Sequence, residues 1–159
     1  MSAGPRGAPP ARGTAEVHET ARSRLGEAGQ RYTDQRRGLI ELLAAAGSPM
    51  SIPQILLVRG DLKQSSVYRN LAGLEQAGVV RRVATDEEHG RYELAEELTG
   101  HHHHLVCSRC GRMRDVEMPA TLESSLDTVL DRLAKRAGFA RVSHRLDLVG
   151  LCAECGATA

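Results

Sequence analysis

Two short cysteine pairs constrain the C-terminal half of this 159-residue chain more than any other feature. Cys107 and Cys110 form one Cys-x-x-Cys pair, Cys152 and Cys155 form the other, and a glycine follows each pair. Four thiolates from two such pairs are the ligand set of a closed, tetrahedral structural zinc site. Two redox-active dithiols or two disulfides are the alternatives. Disulfides require an oxidising compartment, and the N-terminal segment lacks the apolar centre of a signal peptide, so we favour structural Zn²⁺.

A run of four histidines, His101 to His104, lies directly before the first cysteine pair. In an extended strand, side chains alternate between the two faces with a period of two. His101 and His103 would then point to one side, and His102 and His104 to the other. This geometry predicts two metal sites that receive two imidazoles each. The alternatives are a solvated polar run or the remnant of an affinity tag, although a tag is usually longer and terminal.

The net charge of +1 conceals an asymmetry along the chain. Between Arg31 and Arg82 there are eight basic and four acidic residues, whereas nine basic and thirteen acidic residues lie between Val83 and Ala159. The net charge of +4 in the first segment favours binding to a polyanion. The net charge of −4 in the second segment, which is rich in His and Cys, favours binding of cations. No apolar run approaches the length of a membrane-spanning helix. We therefore expect a soluble cytoplasmic protein without membrane partners.

The segment 15–95 has the pattern of a winged helix-turn-helix, preceded by a Gly- and Pro-rich stretch that we interpret as a disordered tail over residues 1–14. Within the tail, Arg6 and Arg12 are candidates for weak phosphate contacts. Helices are predicted over 17–28, after Thr33 as N-cap, after Ser51 as N-cap, and over 67–77. Strand-like segments over 79–83 and 91–94 flank a polar turn over 85–90, which predicts a β-hairpin wing.

The last predicted helix of this segment has the features of a DNA-recognition helix. Ser65 or Ser66 is expected to cap it, and its apolar residues recur at helical spacing. In a helix-turn-helix the second helix enters the major groove with its N-terminal side chains at base edges. The alternatives are a solvated arginine at position 69 and a partly buried tyrosine at position 68. The predicted DNA-contacting residues are Tyr68, Arg69, Ser65, Ser66, Arg36 and Arg31.

Beyond Gly100 the pattern predicts a small α/β domain. Short strands over 105–107 and 114–117 surround the first cysteine pair, and Pro119 fits the first position of a helix with one apolar face. Alternation over 142–148 predicts a strand that leads into Cys152. On its own, Glu123 is an ordinary first-turn acid and His144 a core histidine. Beside a histidine run, both residues become candidate metal ligands.

Four segments of the chain form a recognisable combination. They are Gly29-Gln30-Arg31-Tyr32-Thr33-Asp34-Gln35-Arg36, Ser66-Val67-Tyr68-Arg69-Asn70-Leu71, the histidine run with the first cysteine pair, and Cys152-Ala153-Glu154-Cys155. Together they resemble the ferric uptake regulator family of metal-responsive repressors over about residues 25–155. The resemblance implies an α+β protein with an N-terminal winged helix-turn-helix, a hinge at 96–100, and a dimerisation and metal-binding domain at 101–159. It also implies a homodimer that binds a palindromic double-stranded DNA operator when metal is bound.

The family pattern also implies three metal sites. The four cysteines match its structural zinc site. The ligands of a second site, within the dimerisation domain, would be His101, His103, Glu123 and His144. Many relatives have Asp where this chain has His103, so the histidine run looks more like the zinc-uptake regulators. The ligands of a third site, at the hinge, would be Glu93, His102 and His104.

At the hinge site this chain departs from its relatives. Iron-sensing relatives commonly supply a histidine near the segment that reads Ser48-Pro49-Met50 here, and zinc-sensing relatives supply a cysteine near Ala95. Neither residue type stands at those positions, and His89 is the nearby spare imidazole. The regulatory metal is therefore expected to be Zn²⁺ or Fe²⁺, and the ligand types alone do not distinguish the two ions.

Several functions fit these observations to different degrees. The main hypothesis is a metal-dependent transcriptional repressor that controls metal homeostasis. A peroxide-sensing regulator of the same family is the first alternative, although such relatives usually have Asp where Glu93 stands. A zinc-buffering protein would leave the winged helix without a purpose. A zinc metalloenzyme is disfavoured because the chain contains no His-Glu-x-x-His helix and no nucleophile beside a base, so we expect no enzymatic activity.

Overall fold

The computed structural model describes residues 13–83 and 90–157. These residues form two compact units that divide between Gly100 and His101. No helix in the two described ranges is both long enough and apolar enough to cross a membrane. The predicted phosphate contacts Arg6 and Arg12, most of the predicted tail, and the wing residue His89 lie outside the described residues.

The first unit consists of helices followed by a short hairpin. Its elements are α1 (Thr14–Glu27), α2 (Asp34–Ala46), α3 (Ile52–Val58), α4 (Gln64–Gln76), β1 (Val80–Val83), β2 (Arg91–Leu94) and α5 (Glu96–Thr99). Strands β1 and β2 pair antiparallel, with Val80 opposite Leu94. Apolar side chains of the helices and the hairpin form one continuous core, in which Leu39, Ile55 and Leu71 are fully buried. This is the predicted winged helix-turn-helix.

The starts of the helices test the predicted caps. Thr33 accepts a hydrogen bond from the backbone N–H of Arg36, and Ser51 forms a capping box with Gln54, so both predictions are confirmed. The prediction that Ser65 or Ser66 caps α4 is wrong, because Lys63 is the N-cap residue. Lys63 is extended, and its carbonyl already accepts the first helical hydrogen bonds, which places both serines inside the first turn.

The second unit is a three-stranded sheet with one long helix. Its elements are β3 (His103–Cys107), β4 (Met113–Val116), α6 (Ala120–Arg136), β5 (Asp147–Gly150) and α7 (Ala153–Gly156). The strand order is β4-β3-β5, so the strand that begins in the histidine run occupies the centre. Strand β3 pairs antiparallel with β4 and parallel with β5. In the register of these pairs, His104 stands opposite Asp115 on one side and opposite Asp147 on the other.

Two local predictions in this unit are wrong. Pro119 is the N-cap of α6 rather than its first residue. The predicted strand over 142–148 is shorter and later, because β5 begins only at Asp147 and pairs with β3 from that residue onward. His144 therefore lies in an irregular segment before the strand rather than on its apolar face.

Candidate metal centres and nucleic-acid surface

The four cysteines converge at one end of the sheet. Cys107 ends β3, Cys110 lies in the turn that follows, and Cys152 and Cys155 lie at the start of α7 and within it. Their sulfur atoms all lie within 4.8 Å of one another, and the Sγ atoms of Cys110 and Cys152 are 3.8 Å apart. A tetrahedral site with zinc–sulfur bonds of about 2.3 Å requires sulfur–sulfur distances of about 3.8 Å. All four cysteines are free thiols, and their arrangement fits zinc better than disulfides.

Backbone dipoles prepare one of these thiols for metal binding. The N–H of Cys152 donates to Cys107 Sγ at 3.3 Å. Backbone N–H groups of Cys152, Cys110 and Arg109 lower the pKa of Cys107 to about 6. A hydrogen bond with Cys152 instead raises the pKa of Cys155 to about 12. In the absence of metal the Cys107 thiol therefore loses its proton more readily than the Cys155 thiol.

Two arginines join the two cysteine segments to each other. Arg112 donates to both carboxylate oxygens of Glu154, at 2.8 and 2.7 Å, and Arg109 donates to the carbonyl of Cys155 at 2.8 Å. The Glu154 carboxylate raises the pKa of Arg112, and Arg112 in turn lowers the pKa of Glu154. These contacts connect parts of the chain that are more than forty residues apart, and they place positive charge beside a site that carries net negative charge when four thiolates hold Zn²⁺.

A second cluster contains the four residues that the family resemblance implies as ligands of the dimerisation-domain site. One ligand atom from each of His101, His103, Glu123 and His144 lies within 4.8 Å of the others. Glu123 Oε1 is 3.1 Å from His101 Nε2 and 2.8 Å from His144 Nε2, and Glu123 Oε2 is 3.1 Å from His103 Nε2. Burial alone would raise the pKa of Glu123. The hydrogen bond with His103 and the three imidazoles outweigh that effect and hold the pKa below its usual value.

Hydrogen bonds among the described residues do not satisfy all the buried polar atoms of this cluster. Glu123 Oε1 and His144 Nε2 are buried and only 2.8 Å apart, yet neither atom has a hydrogen-bond partner with acceptable geometry. His103 is only 1% exposed, and its Nδ1 is also unsatisfied among these residues. Buried polar atoms without partners are costly. Three imidazoles and a carboxylate around one point match the donor set of a divalent transition metal, so these residues fit such an ion.

A third group lies on the opposite face of β3. His102 and His104 stack edge to face with ring centroids 5.2 Å apart, and one ligand atom from each lies within 4.8 Å of an Asp115 carboxylate oxygen. The alternation of the histidine run thus sends neighbouring imidazoles into different clusters, as the sequence predicts. Asp115 was missed, because it stands eleven residues after His104 in sequence. Folding β3 and β4 into a hairpin around the first cysteine pair would have revealed it.

Glu93, the hinge ligand implied by the resemblance, lies in the first unit. It is 6% exposed on β2, opposite Arg81 on β1. The Arg81 guanidinium donates to the carboxylates of both Glu93 and Glu96. Burial lowers the pKa of Arg81, but the two carboxylates outweigh burial and raise it. Arg81 therefore stabilises and orients a carboxylate that would be costly to bury alone.

The segment where iron-sensing relatives supply a histidine lies beside Glu93 in the fold. Met50 and Tyr92 exchange backbone hydrogen bonds of 2.9 and 2.8 Å in an isolated bridge. The loop at 48–50 is thus joined to β2 next to the hinge carboxylate. Ala95, where zinc-sensing relatives have a cysteine, is buried directly after β2. Both positions are close to Glu93 in the chain or the sheet, and neither carries the histidine or cysteine that relatives have there.

Helix α4 presents a polar surface opposite its buried face. Val67, Leu71 and Leu74 are fully buried. Ser65, Tyr68 and Arg69 are exposed, and Ser66 is partly buried near the N-terminus of the helix. This arrangement places hydroxyl, phenol and guanidinium groups on the surface of the helix, and groups of these types contact base edges and phosphates in DNA-binding proteins.

The two other predicted DNA contacts differ in their surroundings. Arg31 is exposed, whereas Arg36 is partly buried. The Arg36 side chain donates to the carbonyl of Arg31 at 2.7 Å and to the side chain of Gln30. Burial lowers the pKa of Arg36. Arg36 thus connects α2 to the loop before it, and its guanidinium is already engaged within the protein.

Comparison with known proteins agrees with this description. The sequence model of the Ferric uptake regulator family matches residues 27–149. The chain is 28% identical over 140 residues to the ferric uptake regulation protein of Neisseria meningitidis, covering 85% of this chain and 92% of that protein. It is 29% identical over 135 residues to the peroxide operon regulator of Bacillus subtilis, covering 82% and 88%. Among solved structures, it is similar to the ferric uptake regulator of Pseudomonas aeruginosa with manganese, at a TM-score of 0.62, 30% identity, and coverage of 84% of this chain and 98% of that one.

The family match covers most of the winged helix and most of the unit that holds the three groups of candidate ligands. With this extent of sequence agreement and the same fold, the chain belongs to the ferric uptake regulator family, whose members are transcription regulators that bind DNA and metal ions.

Proposed function

We propose that this protein is a transcriptional repressor whose affinity for a palindromic operator rises when a regulatory Zn²⁺ or Fe²⁺ ion is bound. The observation that carries the proposal is the division of one histidine run between two imidazole–carboxylate clusters. Such clusters suit ions that bind reversibly at cellular concentrations, whereas a closed site of four thiolates suits a permanent ion. A protein that combines both kinds of site with a winged helix is built to couple metal occupancy to DNA binding.

The cysteine site has a structural role in this proposal. Zn²⁺ held by Cys107, Cys110, Cys152 and Cys155 would join the β3–β4 turn to α7. Because the four thiolates are not assembled in the unfolded chain, the free energy of zinc binding becomes free energy of folding. The second unit contains no buried residue in α6 or β5, so its own core is small, and a structural metal would contribute much of its stability.

The regulatory role is assigned to the hinge ligands. A divalent ion bound by Glu93, His102, His104 and Asp115 would connect the winged helix to the dimerisation domain. A bound ion would favour one relative orientation of the two DNA-binding domains of a dimer, and metal affinity and DNA affinity would then be thermodynamically linked. The site formed by His101, His103, Glu123 and His144 would stabilise the dimerisation domain itself.

Two features favour metal sensing over peroxide sensing. The hinge carboxylate is Glu93, whereas peroxide-sensing relatives usually have Asp there. His103 stands where many relatives have Asp, which favours a nitrogen-rich site of the kind that zinc regulators use. The percentage identities to an iron regulator and to a peroxide regulator are 28% and 29%, so overall identity does not separate the two functions.

A homodimer accounts for the exposed apolar surface of the second unit. In α6, Val129 is 58% exposed and Leu133 is 59% exposed, and Val149 on the edge strand β5 is 69% exposed. An amphipathic helix and an unpaired sheet edge are both surfaces that a second copy of the same chain can cover. Twofold symmetry of the protein would match a palindromic operator.

We expect Cys107→Ser to abolish the structural zinc site, because serine does not supply the thiolate that the site requires. Zinc content should fall, and the second unit should lose its cooperative thermal transition, as measured by metal analysis and calorimetry. Ser108→Ala, at the adjacent position, is the matched control and should retain zinc. A Cys107→Ser protein with unchanged zinc content and melting temperature would contradict the structural role.

His102→Ala and His101→Ala change neighbouring residues but should have different effects. His102→Ala removes a hinge ligand, so the metal concentration needed for half-maximal DNA binding should rise by about 10-fold or more. His101→Ala should mainly reduce metal occupancy and thermal stability of the second unit. Fluorescence anisotropy of labelled operator DNA during a metal titration measures the first effect. Loss of the metal response in His101→Ala, with a normal response in His102→Ala, would assign sensing to the other site.

Arg69→Ala should weaken operator binding by about 1–3 kcal/mol and relax sequence preference, as expected for an arginine at a base edge. Arg136→Ala, an exposed arginine in the last turn of α6, is the control and should bind DNA normally. Binding to specific and random duplexes should be compared at one salt concentration. An equal loss on both duplexes would make Arg69 a phosphate contact, and no loss would remove it from the interface.

Leu133→Glu should shift the monomer–dimer equilibrium towards the monomer, because a carboxylate placed in an apolar interface loses its hydration without gaining a partner. Leu57→Glu is the matched control, since Leu57 is a leucine that is 86% exposed on α3 of the other unit. Sedimentation velocity should show a smaller species for Leu133→Glu alone. If both variants sediment like the unmodified chain, the α6 face is not the dimer interface.

A further inference from the structure

Each histidine-containing cluster includes one imidazole whose second nitrogen faces an aspartate outside the predicted ligand set. His104 Nδ1 lies 3.0 Å from Asp147 Oδ1, and His144 Nδ1 lies 3.3 Å from Asp127 Oδ1. Neither aspartate belongs to the groups of converging ligand atoms. The same arrangement therefore occurs twice, once for each histidine-containing cluster.

At the hinge cluster, the sheet register creates the contact. His104 on β3 stands directly opposite Asp147 on the parallel strand β5. The imidazole is only 4% exposed, so its orientation is fixed by the protein around it. With the Nδ1 proton donated to Asp147, the lone pair is on Nε2, and this atom lies 3.9 Å from the Asp115 carboxylate. The tautomer selected by Asp147 is thus the one that presents Nε2 to a metal.

At the dimerisation-domain cluster, the helix creates the contact. Asp127 follows Glu123 by four residues on α6, so both carboxylates lie on the same face of the helix. His144 inserts between them, with Nε2 2.8 Å from Glu123 and Nδ1 3.3 Å from Asp127. Here too the aspartate lies beside the ring nitrogen that points away from the cluster, and the ligand nitrogen points into it.

We propose that Asp147 and Asp127 are positioning residues for two separate metal sites, Asp147 through His104 and Asp127 through His144. The proposal rests on the metal sites assigned above. A carboxylate that accepts the second N–H of a ligating imidazole fixes its tautomer and makes the other nitrogen a stronger donor. Both aspartates are about half exposed, with side-chain exposures of 44% and 48%. Ion pairs this exposed add little to folding stability, so their effect should fall on metal affinity.

The test uses the full-length protein with its structural zinc retained and measures Zn²⁺ affinity by competition with a chromophoric chelator, without DNA. In a His101→Ala background, which leaves the hinge site, Asp147→Ala should weaken Zn²⁺ binding by about 10- to 100-fold and Asp127→Ala should not. In a His102→Ala background, which leaves the dimerisation-domain site, Asp127→Ala should weaken Zn²⁺ binding and Asp147→Ala should not. Asp131→Ala, an exposed aspartate on the same helix, is the control and should be silent in both backgrounds.

A spectroscopic readout separates positioning from a general structural effect. Long-range ¹H–¹⁵N correlation spectra of the metal-free protein, recorded where the imidazole is neutral, report which ring nitrogen carries the proton. His104 should be protonated at Nδ1 in the unmodified chain and lose this preference in Asp147→Ala. Asp147→Asn keeps an acceptor oxygen without the charge, so it should restore the tautomer and recover part of the affinity.

The outcomes distinguish this proposal from the proposed function. If the His101→Ala protein binds only its structural zinc, the hinge site does not exist, and both proposals fail for Asp147. If that protein binds regulatory zinc with unchanged affinity after Asp147→Ala, the positioning role alone is overturned. Equal weakening in both backgrounds, or an unaltered His104 tautomer, would also overturn it.

Discussion

The arrangement of the second unit depends on the hydrogen bonding of one strand, β3, to a neighbour on each side. Two partners fix the register of this strand, and its pleat then decides where each histidine goes. His103 reaches Glu123, while His104 lies between Asp115 and Asp147. The same strand ends at Cys107, which brings the first cysteine pair to the second. A shift of register by one residue would exchange the two histidine faces and separate every ligand from its carboxylate.

The chemistry of the donors divides the metal sites into two kinds. Four sulfurs within 4.8 Å of one another, connected by the Arg112–Glu154 pair, make a site that is closed on all sides by protein ligands. The imidazole–carboxylate clusters use borderline donors, and their affinity depends on orientation by neighbouring carboxylates. Under the proposed function, this division would allow one domain to keep a permanent ion for stability and to exchange another for regulation. In the winged helix, Arg81 stabilises the one buried carboxylate that the proposed hinge site needs from that unit.

The sequence predicted the features that depend on local pattern. It did not predict the features whose position is determined by contacts between distant segments. The winged helix, the caps at Thr33 and Ser51, and the alternation of the histidines follow from spacing and residue type over a few positions. Lys63 has no capping side chain, so the start of α4 could not be read from a capping signature. The alternating pattern before Asp147 did not produce a strand, because β5 begins only where the chain pairs with β3. Asp147 became visible only through the pairing of β5 with β3, which a single sequence does not display. Asp115 and Asp127 could have been found by applying hairpin pairing and helical spacing to the predicted elements.

Under the proposed function, regulatory metal and not the structural zinc sets the affinity for DNA. This can be measured as operator affinity against metal content, in protein chelated until about one zinc ion per chain remains. We expect this protein to keep its fold and dimeric state, to bind operator weakly, and to regain tight binding when Zn²⁺ or Fe²⁺ is returned. Equal operator affinity before and after the regulatory metal is returned would contradict it.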